Sequence, residues 1–171
     1  MSDRIPAAIQ IGGPVPHNIA AQLIEAITTA DISLDWGGES FEPITLDDLI
    51  AHLDPATKQL HLNDDNARGG IFDTLEIWLR ENQVSYDRQT DARFEFDGMA
   101  VSYRPTIGEV THLATQTGEP TVLRFELQRV RDNLRAALVE QSPERVRTAL
   151  KALENAMGPD VPQLEPLRIA P

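Results

Sequence analysis

His61, Asp64 and Asp65 follow one another closely at the end of a β-prone run, Leu60-His61-Leu62. An imidazole and two carboxylates at that spacing could hold a divalent cation or pass a proton. Asp73 and Glu76, three residues apart, share one face of a helical segment and could add oxygen ligands. No His-x-His or His-x-x-x-His spacing supports such a centre, and Asp and Asn are ordinary turn and cap residues. Local capping is therefore the plainer role for these five residues, and no metal or other cofactor is expected.

Other routes to chemistry are weaker still. Gly12-Gly13 could turn backbone amides toward a phosphate, but neither G-x-G-x-x-G nor a P-loop lysine accompanies it. His17, His52 and His112 lie far apart, and no serine sits in a G-x-S-x-G elbow. The chain has no cysteine, which excludes disulfides, thiolate nucleophiles and Cys-ligated metals. No catalytic residue can be assigned, and the pattern leans away from an enzyme.

These side chains would be positioned by alternating strands and helices. Ala8-Ile9-Gln10-Ile11 is β-prone and stops at Gly12-Gly13-Pro14. Ile19, Ala20, Leu23, Ile24 and Ile27 recur at helical spacing, and Ile32-Ser33-Leu34-Asp35-Trp36 alternates as a half-buried strand would. Leu60–Leu62, an amphipathic helix through Ile71, Phe72, Leu75, Trp78 and Leu79, and a strand from Val84 repeat the order. Ile11 to Ser33 spans 22 residues and Leu62 to Ser85 spans 23, each unit being followed by an aromatic, Phe41 or Phe94. The spacing predicts an α+β fold: a ferredoxin-like sheet built from two βαβ units. Thr45 and Asp48 predict a capped helix over Leu46–Leu53, ended by Pro55. Asp97-Gly98, between Arg93–Phe96 and Ala100–Tyr103, predicts a β-hairpin added to that sheet.

The second half changes character. Leu123, Leu127, Val130, Leu134 and Leu138 form one helical stripe, and Val146, Ala149, Leu150, Leu153 and Met157 form another after Ser142-Pro143. A C-terminal helical hairpin follows, able to pack on the sheet or on a second copy. Arg124, Arg131 and Arg135 flank its first stripe, where their stems would cover the apolar seam. The expected organisation is an acidic α+β domain over 1–105, a linker over 106–120, the hairpin over 121–158 and an extended proline-rich tail over 159–171.

Charge gives the broadest functional constraint. Of a net −12, residues 1–105 carry −11, with 18 Asp/Glu against 7 Lys/Arg. Between Arg4 and Lys58 no basic residue interrupts Glu25, Asp31, Asp35, Glu39, Glu42, Asp47, Asp48 and Asp54. A one-signed field of this kind repels nucleic acid and anionic membranes and attracts basic partners. No stretch approaches the roughly 18 apolar residues of a membrane span, and Met1–Pro6 lacks a secretory layout, so a cytoplasmic protein is expected.

Asp31, Asp35, Glu39, Glu42, Asp47, Asp48 and Asp54 are thus the candidate partner-binding residues, on a non-catalytic module that docks on a basic protein. Basic protein surfaces commonly handle nucleic acid, so the docked module could act as a nucleic-acid mimic, as phage or mobile-element inhibitors of host defence do. With so few aromatics, Trp78 and Trp36 are expected as core anchors. Trp36, between Asp35 and Gly37-Gly38, is the better placed of the two to reach the surface as an interface anchor. Two other expectations compete: a small metal-dependent enzyme using His61, Asp64 and Asp65, and a homodimeric scaffold assembled through the C-terminal helices.

Overall fold

The computed structural model describes residues 4–91, 98–115 and 120–171. Its central element is the strand β1, Arg4–Gly12, in which Ile5, Ala7, Ile9 and Ile11 alternate onto one buried face. Both edges of β1 are paired, with β3 (Leu60–Arg68) on one side and β4 (Ser85–Thr90) on the other, each antiparallel to it. β3 and β4 therefore run parallel with β1 between them, joined by α3 (Asp73–Glu81). β5 (Gly98–Arg104), β6 (Gly108–Ala114) and the two-residue β7 (Pro120–Thr121) continue the sheet antiparallel, in the order β3-β1-β4-β5-β6-β7. A short β2, Pro14–Pro16, pairs parallel with β8, Arg168–Ala170, in a separate two-stranded sheet. Among the described residues no helix is long and apolar enough to cross a membrane.

The fold is mixed α+β with two C-terminal helices, but the sheet order does not reproduce a ferredoxin-like duplication. Only the second expected unit, strand–α3–strand, is present. In the first, α1 (Ala20–Ala30) ends at Asp31 in left-handed conformation, and Ile32–Trp36 forms isolated bridges rather than a strand. The physical reason lies in Gly37-Gly38: the Gly38 amide donates to the Asp35 carbonyl at 3.0 Å and turns the chain back. Phe41 N–H then reaches the Ile32 carbonyl at 2.7 Å, and a compact loop replaces the strand.

The later segments bear on the remaining expectations. Arg93–Phe96 and Phe94 lie outside the described residues. Ala100–Tyr103 belongs to β5, whose two edges are occupied by β4 and β6. The stretch expected as a linker contains β6, built on Val110-Thr111-His112-Leu113. The C-terminal helices α4 (Arg124–Val139) and α5 (Pro143–Met157) pack chiefly on each other through Val130, Ala137 and Ala149. Leu127, Leu138, Leu150 and Met157 remain exposed. The short α2, Leu46–Ala51, starts as its sequence predicts. Asp48 N–H donates to Thr45 Oγ1, and Ile44 N–H to Asp48 Oδ2, each at 3.1 Å.

α3 is tied to the sheet by a buried carboxylate. Glu76 is 1% exposed; its Oε1 accepts the Phe72 amide at 2.9 Å and lies 2.9 Å from Nε of Arg88, itself 7% exposed. Arg88 Nη1 donates to the Gly70 carbonyl at 2.6 Å. On the other side Tyr86 Oη lies 3.3 Å from Glu76 Oε2 and 3.1 Å from Glu109 Oε2 on β6, and accepts from Arg80 Nη1 at 2.9 Å. Burial, and then the Glu76 carboxylate, push the Tyr86 phenol well above its usual range, so it stays a neutral donor. Glu76→Ala strands the Arg88 guanidinium in the core and should cost ~3–5 kcal/mol in urea unfolding. Glu76→Leu combined with Arg88→Met should cost markedly less, because neither charge is then left alone. A loss below about 1 kcal/mol for Glu76→Ala would show that the pair does not anchor α3.

Candidate functional site

The acidic stretch after α1 is fastened to the free edge of β3. Ser33 and Asn63 exchange backbone hydrogen bonds, Ser33 N–H to Asn63 O at 3.0 Å and Asn63 N–H to Ser33 O at 2.7 Å. Asn63 Nδ2 donates to the Leu34 carbonyl at 2.7 Å, and the Gly37 amide donates to Asp65 Oδ2 at 2.6 Å. Ile32 and Phe41 bury their side chains in the core, while Asp35 to Ser40 between them are exposed. A loop whose two ends are held by core residues projects its middle as a fixed surface.

That surface carries Trp36, 51% exposed, with exposed Asp35, Glu39, Glu42 and Asp47 on the same chain segment. The four carboxylates make no hydrogen bond or ion pair among the described residues. Ile44, 86% exposed, and Ile50 add apolar area beside them. The other three expected docking residues have local roles. Asp31 accepts from the Ser40 hydroxyl, and Asp48 caps α2. Asp54 Oδ1 accepts from Ala56 N–H and from the amide and hydroxyl of Thr57. The Thr57 amide, followed by its hydroxyl, holds the Asp54 carboxyl below the usual range.

The five residues first considered as metal ligands are not gathered into one centre. Glu76 is committed to Phe72 and Arg88 inside the fold, and Asp73 is exposed on the first turn of α3. Asp64 Oδ1 accepts the Asn66 amide at 2.8 Å, and Asp65 holds Gly37. Strand alternation sends His61 to the face of the sheet away from Leu60 and Leu62, opposite Gln10. Among the described residues no group of three or more His, Asp or Glu is placed to hold a metal ion.

The structure does mix the two sets of candidates in another way. Asp31 meets Asp64 and Asp65 around a cavity of about 430 Å³ that also includes Arg4, whose Nη1 donates to the Asn66 carbonyl at 2.8 Å. Asp35 and Asp54 meet His52 and His61 around a second cavity of about 370 Å³. His52 Nδ1 lies 2.8 Å from the Asp48 carbonyl, which can only accept, so Nδ1 is the donor; Phe41 meets its ring edge-on at 5.0 Å. His61 Nε2 is buried with no hydrogen-bond partner among the described residues.

Trp78, the other tryptophan, is partly buried against the core, consistent with an anchor role. Asn63 was not singled out by sequence, because its partners lie about thirty residues upstream and no local pattern signals a loop clasped to an edge strand. Comparison with protein-family models, curated proteins and solved structures found no match. Removing the clasp gives a direct check: Asn63→Ala should lose ~1–2 kcal/mol and speed amide exchange at Ser33, Gly37 and Gly38. Leu60 and Leu62 should keep wild-type protection. Equal exchange across all five amides would mean that Asn63 does not hold the loop.

Proposed function

We propose that the loop from Asp31 to Asp48 is a docking surface for a basic protein, with Trp36 as its anchor. One observation carries this: a half-exposed indole shares one exposed chain segment with four carboxylates that have no counter-ion within the described residues. Trp is the residue type most enriched among interface anchors, because a large rigid ring buries much area at little entropic cost. The surrounding charge accelerates encounter with a basic partner and fixes orientation, while the indole sets the lifetime of the complex. The fastening of the loop to β3 reduces the ordering cost of binding.

The partner's basic surface would be one that handles nucleic acid, so that the bound protein excludes DNA or RNA by occupying its site. The protein itself would not bind nucleic acid, since its net charge of −12 opposes a phosphate backbone. A small metal-dependent enzyme using His61, Asp64 and Asp65 has less support, because the carboxylates best placed to ligate are spent on backbone amides.

Retention of a basic protein from native lysate at low salt, with release along a salt gradient, tests the proposal. Trp36→Ala and the pair Asp35→Lys/Glu39→Lys should each lower affinity for the retained protein by about tenfold or more. The charge pair should act mainly on the association rate. Added DNA or RNA should displace the partner. Asp48 is left intact because its reversal would uncap α2. Unchanged affinity in both variants at every salt concentration would remove the docking surface from consideration.

A further inference from the structure

After α5 the chain runs back, extended, across the end of the sheet where β1 meets β2. Beside the parallel β2–β8 pairing, five hydrogen bonds seat it, and on the strap's side every one uses main-chain atoms. The Pro162 carbonyl accepts from Arg104 Nε at 3.0 Å, the Leu164 carbonyl from Gln59 Nε2 at 2.7 Å and the Glu165 carbonyl from the Gly13 amide at 3.0 Å. Leu167 N–H donates to the Lys58 carbonyl at 2.8 Å and Arg168 N–H to the Gly13 carbonyl at 3.1 Å. Leu164 and Leu167 are buried on either side of Pro166, a position from which no N–H is asked. The seat is closely fitted: a Cβ on Gly12 would collide with the Glu165 carbonyl.

This is the chemistry by which grooves recognise extended, proline-containing peptides: main-chain bonds for affinity and spaced sockets for selectivity. Two other features bear on how the strap is held. The hairpin that carries it packs chiefly on itself, so the hairpin does not fix the strap's position on the sheet. Alongside residues 157–166 lies a cavity of about 1170 Å³, lined also by Gln10, Asp87, Ser102, Arg104 and His112, so the strap borders open space along one side.

We propose that the groove formed by Gly12-Gly13, Lys58-Gln59 and Arg104 is a recognition site for an extended protein segment of the form Leu-x-Pro-Leu. Residues 164–167 of the chain occupy it in cis as a built-in competitor. A partner bearing such a segment within a longer extended stretch displaces the strap and takes over its main-chain bonds, three of which come from residues 164–167. The site is separate from the acidic loop and stands or falls independently of it.

A fluorescent peptide with the sequence of residues 160–171 tests this on the full-length chain. Wild type should bind it weakly, because the groove is filled from within. The full-length variant Leu164→Ala/Leu167→Ala should bind it about tenfold more tightly, since a weakened internal competitor takes a smaller share of the groove. Saturating peptide should also raise the variant's Tm toward wild type. Adding Gly12→Ala to that variant, or replacing both leucines of the peptide by alanine, should abolish binding. Because Leu167 also touches the main core, the variant could lose its fold; recovery of near-ultraviolet circular dichroism on adding peptide then supports the proposal. No binding and no recovery at saturating peptide would overturn it, showing the strap to be a fixed part of the core.

Discussion

A single buried carboxylate, Glu76, ties the two layers of this protein together. Its side chain closes the first turn of α3 through the Phe72 amide and meets Arg88 on β4, while Tyr86 links it to Glu109 on β6. A charge this deep is tolerated only with a partner and with hydrogen bonds to its lone pairs, so helix and sheet can settle in one relative position. Leu75 and Leu79 on the same helix would pack against many apolar surfaces; Glu76 fits against one. With α3 held, β3 and β4 are fixed on the two sides of β1, and the free edge of β3 becomes a defined platform.

The acidic loop depends on that platform. Asn63 and Asp65 on β3 hold Ser33, Leu34 and Gly37, and the chain between Ile32 and Phe41 has to bulge outward with Trp36 near its tip. The acidic charge falls into two classes as a result. Asp31, Asp48, Asp54, Asp64 and Asp65 accept hydrogen bonds that shape turns and caps. Asp35, Glu39, Glu42 and Asp47 do no such work and face solvent, which is why the docking role is assigned to them and to the exposed indole on the same segment.

Much of this was legible in the residues, and the failures have identifiable causes. Helical spacing located α1, α3, α4 and α5, and Thr45 with Asp48 announced the cap of α2. Ile32–Trp36 alternates as a strand does, but Gly37-Gly38 reverses the chain before a ladder can form, so local pattern and outcome part company there. β6 was hidden by the prolines and glycines around it, although Val110-Thr111-His112-Leu113 is itself β-prone. Glu76 caps the first turn of α3, the plainer role its residue type offers, but its spacing to Asp73 does not announce burial. Its spacing to Phe72, Leu75 and Leu79 places it equally well on the core stripe, and burial follows that stripe. The clasp of Asn63 on the loop and the seat of the strap join residues thirty to more than a hundred positions apart, beyond any local pattern.

The most direct measurement is site-specific photo-crosslinking in native lysate, with a photoreactive amino acid at position 36 in one preparation and at exposed Ile77 of α3 in another. The account predicts a discrete crosslink to a basic protein from position 36, lost as salt is raised, and none to that protein from position 77. Equal capture of the same protein from both positions, or no discrete product from position 36, would contradict it.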